Sequence, residues 1–430
     1  MVKILKIRAQ IDEFLKKISN RGRISYGKVK ENVESILNDI ENNGDLACLK
    51  YTEKFDGIKL KISEIRVSDS EIQDAYQKVD EKGVKAIKQA IRNIQKFHEA
   101  QIKKMDDIET VPGVLVGQLI IPYESIGIYI PGGRAPYLST VLMTTVPAKI
   151  SGVNQIIITT PPNKDKKINP AILVAANESG VDTIFKIGGA QAIAAMTFGT
   201  KSIPKVNKII GPGNIYVNTA KILANQNVAI DLPAGPSEIL IIADENSNVN
   251  FISDDLISQA EHDPNVYTFL VSNSIQTIEK VKNIISENLN EYTRRNIIKE
   301  ALENNCYLIL AKNIEDMFEI SNKIAPEHLE IHLKNPNKYL PLIKNAGAIF
   351  LGEFSPVPIG DYAAGSNHVL PTGGLAKSYS GLSSYDFVKF VDVVKSTKDG
   401  LKNLKDTVIS LAKIEGFDAH KKTILGRLEE

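Results

Sequence analysis

The feature that most constrains this chain is a series of short β-branched runs, each closed by glycine or proline. They are IGIYIPGG (126–133), QIIITTPP (155–162), TIFKIGG (183–189), KIIGPGN (208–214) and AIDLPAG (229–235). Between them lie helical stretches at Leu138 to Ile150, Ala171 to Ser179 and Gln191 to Thr197. Buried strands alternating with helices predict a doubly wound, mostly parallel α/β sheet. A second series repeats the pattern, with ILIIAD (239–244), YTFLVS (267–272), CYLILA (306–311), LEIHL (329–333) and GAIFLG (347–352) as strands. Helices are expected there around Phe251 to Glu261, Ile275 to Glu303 and Ile314 to Ala325, so two related sheets are expected.

The flanks read differently. From Tyr26 to about Lys104, apolar residues recur three and four apart (Val29, Val33, Ile36, Leu37, Ile40; then Val84, Ile87, Ile91, Ile94), which predicts amphipathic helices. A glycine-rich segment, Gly360 to Gly374, leads to a tail read as mainly helical from about Ser384. With 52 Lys+Arg interspersed among 51 Asp+Glu, no footprint for nucleic acid or an anionic membrane stands out, and small molecules or subunits are the expected partners. Cys48 and Cys306 lack CxxC spacing and read as buried thiols of a reducing compartment. The N-terminus carries too many charges for a signal peptide or membrane span, so a cytoplasmic protein is expected.

Chemistry is concentrated at a few positions. Tyr129, Gln191, Asn214 and Ser237 sit in Gly/Pro-rich turns, where a backbone can approach phosphate or ribose and the next helix offers free N–H groups. No GxGxxG fingerprint occurs, so the turns alone point to a nucleotide-like ligand without specifying NAD. In DLISQAEHDP, Gln259 and His262 lie three apart on a predicted helix and share a face, compatible with one metal ion or with a helix-end cap. Asp361 and His368 lie in GDYAAGSNHVLPTGG, and Glu415 and His420 in EGFDAHKKT. Together they offer the mixed nitrogen and oxygen donors that zinc accepts. In APEHLE, Glu327 and His328 offer a carboxylate and an imidazole for acid/base work, or a solvated pair at a strand start. His332 reads as solvated, and His98 as a surface residue.

Along essentially its whole length the chain resembles the histidinol dehydrogenase family. The resemblance runs through SIGIYIPGGRAPYLSTVLMTTVPAKISGV, KIGGAQAIAAMTFGT, IIGPGNIYVNTAK, DLPAGPSEILIIAD, LISQAEHDP, APEHLEI, GDYAAGSNHVLPT and EGFDAHK. It implies zinc ligands at Gln259, His262, Asp361 and His420, one ion per subunit, and an acid/base pair at Glu327 and His328. It implies substrate contacts at Ser237, His368 and Glu415, alongside the zinc ligands and His328, and NAD contacts at Tyr129, Gln191 and Asn214. The implied reaction is the oxidation of L-histidinol to L-histidine, the end of histidine biosynthesis. His328 acts as base and Glu327 activates water, in a homodimer whose tail crosses to the partner.

The organisation expected is two Rossmann-like doubly wound mostly parallel sheets with a helical N-terminal region and a helical C-terminal tail. An N-terminal arm covers 1–24. A helical region, 25–120, packs with 236–381 as the first Rossmann-like domain, 121–235 forms the second on the NAD side, and 382–430 is the dimer-crossing tail. Two rivals remain at this point: a related zinc/NAD dehydrogenase of another amino alcohol, such as a sulfonated one, and a non-catalytic ligand-binding protein on the same fold.

Overall fold

The computed structural model describes residues 2–19, 21, 27–132, 136–232 and 235–428. Tyr26, where the helical reading begins, and Gly133, Pro233 and Ala234 of the quoted turns lie outside the described residues. The chain opens with β1 (Lys3–Leu5) and α1 (Arg8–Ile18), continues through α2 (Gly27–Asp56), α3 (Asp69–Tyr76) and α4 (Glu81–Glu99), and then forms β2 (Ile108–Val111) and β3 (Val114–Pro122). The first α/β series is β4 (Ser125–Tyr129), α5 (Leu138–Ile150), β5 (Gln155–Thr159), α6 (Pro170–Ser179), β6 (Thr183–Phe185), α7 (Gly189–Phe198), β7 (Lys208–Ile210), α8 (Ile215–Ala224) and β8 (Ala229–Ile230). The second is β9 (Glu238–Ala243), α9 (Val249–Ala260), β10 (Tyr267–Ser272), α10 (Ile275–Asn288), α11 (Arg295–Asn305), β11 (Cys306–Leu310), α12 (Ile314–Ile324), β12 (His328–His332), β13 (Ala348–Leu351) and α13 (Val357–Tyr362). The tail holds β14 (Val388–Ser396), α14 (Lys398–Glu415) and α15 (Asp418–Leu428).

Among the described residues, the first series forms a five-stranded parallel sheet ordered β6-β5-β4-β7-β8, and the second a six-stranded parallel sheet ordered β1-β11-β10-β9-β12-β13. Each series therefore has the strand order 3-2-1-4-5, reversing direction beside its first strand, as in Rossmann-type units. Both faces of each sheet are covered, which is why the strands read as continuous apolar runs. On the six-stranded sheet, Ile239, Ile241 and Leu270 pack under α9, whereas Leu240, Ile242, Leu329 and Ile331 pack against α1 and α12.

One expectation is corrected. The helices of that region pack chiefly on the first α/β series and not on the second sheet, with α2 on α7 and α8, α3 on α6, and α4 on α5, and α4 also touches the 363–369 loop. The reason is visible in the core, where Val33, Ile36 and Ile40 share a cluster with Ile193, Met196 and Val217, and Ile87, Ile91 and Ile94 share another with Val141 and Leu142. The N-terminal arm, in turn, adds β1 to the six-stranded sheet beside β11. Both flanks are mainly helical, as expected, and each also carries strands. β14 pairs antiparallel with β3, which pairs with β2, in a three-stranded sheet. Valine-rich VKFVDVVKS, and the Pro-Gly turn between ETV and VLV with Gly113 at φ 83°, are the strand signals in those segments.

Candidate active site

The reactive residues of the second series gather at the amino edge of the six-stranded sheet. Ser237 and Glu327 immediately precede β9 and β12, and His328 is the first residue of β12. Helices that return antiparallel to the strands end at this same edge, so the last turn of α9 brings Gln259 and His262 follows two residues after the helix, while α13 brings Asp361. Carboxyl-edge binding, the rule for open parallel sheets, therefore does not describe this half of the molecule.

The geometry centres on Glu238, which sequence reasoning passed over. Its backbone N–H donates to Glu327 Oε2 (2.8 Å), and its carbonyl accepts from His328 Nδ1 (2.9 Å). One peptide segment thus holds both Glu327 and His328, whose carboxylate and imidazole lie 3.6 Å apart. Adjacent residues of an extended strand would diverge, but Glu327 lies just before the strand, and the divergence is avoided. The Glu238 side chain is fully buried and is held by Arg21, through Nε (2.6 Å) and Nη2 (2.7 Å), and by the Gly373 N–H (3.1 Å). A bidentate, buried pair of this kind fixes its partners rigidly. Its members are 217 residues apart, so no local pattern announces it.

His328 Nε2 has no hydrogen-bond partner among the described residues and lies 3.8 Å from Asp361 Oδ1. Burial holds the His328 imidazole down at about 4, despite its bond to the Glu238 carbonyl, with His262 and His368 lowering it further. Burial likewise raises Glu327 well above the carboxylate range, opposed by hydrogen bonds from Glu238 and Ser237 and reinforced by the charge of Asp361. Burial brings Asp361 to about 7 and His368 to about 4, and it lowers His262. The Gln259 side-chain nitrogen is buried and unpartnered among the described residues.

His368 links this edge to the first sheet. Its Nδ1 contacts the Asp361 carbonyl (3.1 Å), and its Nε2 reaches Thr140 Oγ1 (3.4 Å) in the first turn of α5, the helix that follows β4. The loop carrying His368 is pinned by Asn367, whose Nδ2 donates to the Met143 carbonyl (2.7 Å) and approaches His98 Nε2 (3.4 Å). His98 is therefore fully buried, not a surface residue. His332 is also buried, beside Glu330, and not solvated.

At the carboxyl edge of the five-stranded sheet opens a cavity of about 1120 Å³, lined by Tyr129, Gln191 and Asn214 with Tyr51, Asp56 and Thr160. The Tyr129 hydroxyl accepts from the Gly189 N–H (3.2 Å). Gly211, at φ 120°, lies so close that a Cβ there would sit 2.2 Å from the Tyr129 carbonyl oxygen. Both side-chain amide atoms of Gln191 are buried and unpartnered among the described residues, as expected of groups awaiting a ligand. Asn214 caps α8 by accepting from Tyr216 and Val217 N–H, so its turn has a structural role as well. The volume fits a nucleotide-sized ligand.

Glu415 and His420 are not brought to these residues by their own chain. Both are exposed at the α14–α15 turn, where the His420 ring stacks on Phe417 at 5.0 Å.

Two Rossmann-type sheets carry a buried imidazole–carboxylate site at the rim of one and a nucleotide-sized cavity at the rim of the other, and the relatives that this chain matches make it an enzyme of the oxidoreductase class. The family model described as histidinol dehydrogenase matches residues 19–428. The chain is similar to the histidinol dehydrogenase of Methanocaldococcus jannaschii, 48% identical over 427 residues and 99% of each chain, and to that of Listeria monocytogenes, 47% identical over 98% of each. A crystal structure of histidinol dehydrogenase from Elizabethkingia anophelis superposes with a TM-score of 0.95 at 40% identity, covering 100% of this chain and 98% of that one. The chain belongs to the histidinol dehydrogenase family.

Proposed function

We propose that the protein oxidises L-histidinol through L-histidinaldehyde to L-histidine, reducing two NAD, with one zinc ion per subunit. The observation that carries this reading is the His328 ring. Its Nδ1–H donates to the Glu238 carbonyl, which fixes the tautomer and turns an unpartnered Nε2 lone pair toward the Asp361 side. Because burial keeps the ring neutral at pH 7, it is in the form that accepts a proton.

The donor set fits a zinc ion: the side-chain amide oxygen of buried Gln259, an imidazole at His262 and a carboxylate at Asp361. These residues would hold it, with His420 of the partner subunit completing the set, and the ion would anchor the substrate's nitrogens and act as a Lewis acid. Tyr129, Gln191 and Asn214 would hold NAD, which supplies the hydride acceptor. His328 Nε2 takes the hydroxyl proton as the alcohol carbon loses two electrons. Glu327, a stronger base than an ordinary carboxylate, takes a proton from the water that adds to the aldehyde carbon, while protonated His328 returns its proton to the aldehyde oxygen, giving the hydrate and a neutral imidazole. His328 then takes a hydroxyl proton of the hydrate as two further electrons leave. Ser237, His368 and Glu415 of the partner subunit orient the substrate.

A homodimer is supported by apolar side chains left in solvent on the tail, where Ile414 is 81% and Val394 67% exposed, and on β3, which pairs with it, where Leu119 is 51% exposed. Among the described residues no helix is long and apolar enough to cross a membrane, and both cysteines are free and buried, in keeping with a cytoplasmic enzyme. Two variants test the division of labour. Glu327→Gln should still oxidise histidinol to the aldehyde but fail on supplied histidinaldehyde, whereas His328→Asn should lose about 10²- to 10⁴-fold on both. Glu327→Gln matching wild type on the aldehyde would remove Glu327 from the reaction.

A further inference from the structure

The buried face of β12 that looks toward α9 and α13 carries three polar residues in succession: His328, Glu330 and His332. The first belongs to the site already described. The other two meet Asp255 of α9 in a cluster whose ligand-capable atoms lie within 4.8 Å of one another. Glu330 is fully buried and His332 nearly so.

Glu330 is the hub. Its Oε1 accepts from the backbone N–H of Val357 (2.8 Å), the first residue of α13, and its Oε2 meets His332 Nε2 (3.2 Å). Asp255 hydrogen-bonds the same carboxylate, and its Oδ2 lies 3.8 Å from His332 Nε2. Two facing buried carboxylates repel unless a proton lies between them, and burial together with Glu330 brings Asp255 up to about 8. A proton between Asp255 and Glu330 relieves that repulsion, while His332 Nδ1 has no hydrogen-bond partner among the described residues.

What the cluster joins is the informative part. Asp255 is one helical turn before Gln259 on α9. Val357 is one turn before Asp361 on α13. Glu330 is two residues from His328 on the same face of β12. One carboxylate is thus bonded to each of the three elements that bring the site residues to the amino edge.

We propose that Asp255, Glu330 and His332 are positioning residues, a polar clamp that locks α9, β12 and α13 together and so sets the spacing of Gln259, His262, His328 and Asp361. This rests on the assignment of those four residues to the active site. Groups that orient ligands from behind typically matter by about 10- to 100-fold in metal affinity or activity.

The test compares Asp255→Asn with Asp255→Ala in the full-length protein. An asparagine N–H can donate to Glu330 where the protonated carboxyl did, so Asp255→Asn should stay within about threefold of wild type. Asp255→Ala should keep a folded far-UV circular dichroism spectrum yet lose roughly 10- to 100-fold in kcat on histidinol, with KM little changed, and lose zinc affinity by a similar factor. Zinc affinity, measured by chelator competition, decides the proposal even if histidinol proves not to be the substrate. A lower Tm for Asp255→Ala with wild-type kcat and zinc affinity would overturn it, leaving the cluster a stabilising element only. So would a second tightly held divalent ion in wild type that Asp255→Ala loses, because the cluster would then be a metal site.

Discussion

Substituting Gly347 by alanine should impair catalysis without touching any reactive side chain. Gly347 precedes β13 and runs beside the start of β12, its N–H donating to the Pro326 carbonyl (3.0 Å) while the next N–H, of Ala348, donates to the Glu327 carbonyl (2.8 Å). A Cβ at 347 would lie 2.6 Å from the Glu327 carbonyl oxygen and 3.3 Å from both the Glu327 carbonyl carbon and Leu370 Cβ. Ordinary contact begins near 3.4 Å, so the Glu327 peptide must retreat by about 0.8 Å. That peptide leads directly into His328, and both side chains are held by the single Glu238 segment, which cannot follow because Arg21 and Gly373 hold it. A misplacement of about 1 Å can cost on the order of 10²-fold, so kcat should fall about 10- to 100-fold, with a stability loss of roughly 1–3 kcal/mol. Steady-state NADH formation from histidinol and from histidinaldehyde, beside thermal melts, measures both effects. Gly426→Ala, in a helix where a Cβ meets nothing within 4 Å, serves as the neutral comparison. Wild-type kcat on both substrates in folded Gly347→Ala would refute the claim that the β12 entry sets the catalytic geometry.

Removing zinc with a chelator should abolish most activity while leaving the far-UV circular dichroism intact, since each sheet has its own apolar core; global unfolding or unchanged turnover would contradict this. If His420 serves the partner subunit's site as proposed, co-expressed His420→Asn and His262→Asn, each nearly inactive alone, should complement, because mixed dimers would place both changes in one site and neither in the other. Random mixing predicts roughly a quarter of wild-type activity, and no recovery in verified mixed dimers would show that the tail serves its own subunit. Asp255 faces Glu330 and His332 of β12 and Asp254 of its own helix. Because its pKa is raised to about 8, between about pH 4 and 8 the folded chain keeps a proton that the unfolded chain has released, and stability falls as pH rises through that window. Asp255→Asn should therefore gain stability relative to wild type from pH 5 to 8, by at most about 1.4 kcal/mol per unit. A pH-independent difference in urea unfolding would show that Asp255 carries no such proton.

Much of the architecture was legible because short strands buried on both faces must be apolar throughout, and the glycines and prolines closing them mark where each helix begins. The helix Leu138–Ile150 begins and ends where its pattern does. The three-stranded sheet was less legible. Leu115, Leu119, Ile121 and Val394 are apolar yet exposed, so burial does not impose a clean alternation there. Candidate site residues with a role tied to their own turn or helix end could be found locally. The partners that hold them could not: Glu238 depends on Arg21, His98 on Asn367, and Glu330 on Asp255 and Val357, all distant in sequence. His332 and His98 read as solvated for that reason. The amino-edge location of the second site follows from α9 and α13 ending there, a property of topology that no motif states.

The central claim is a four-electron oxidation at one site, and the most direct measurement counts NADH formed per L-histidinol consumed, with the product identified. Two NADH and L-histidine, with no histidinaldehyde accumulating and with turnover lost on chelation, are the predicted result. One NADH with aldehyde released as the end product, or no NADH from histidinol while another amino alcohol is oxidised, would contradict it.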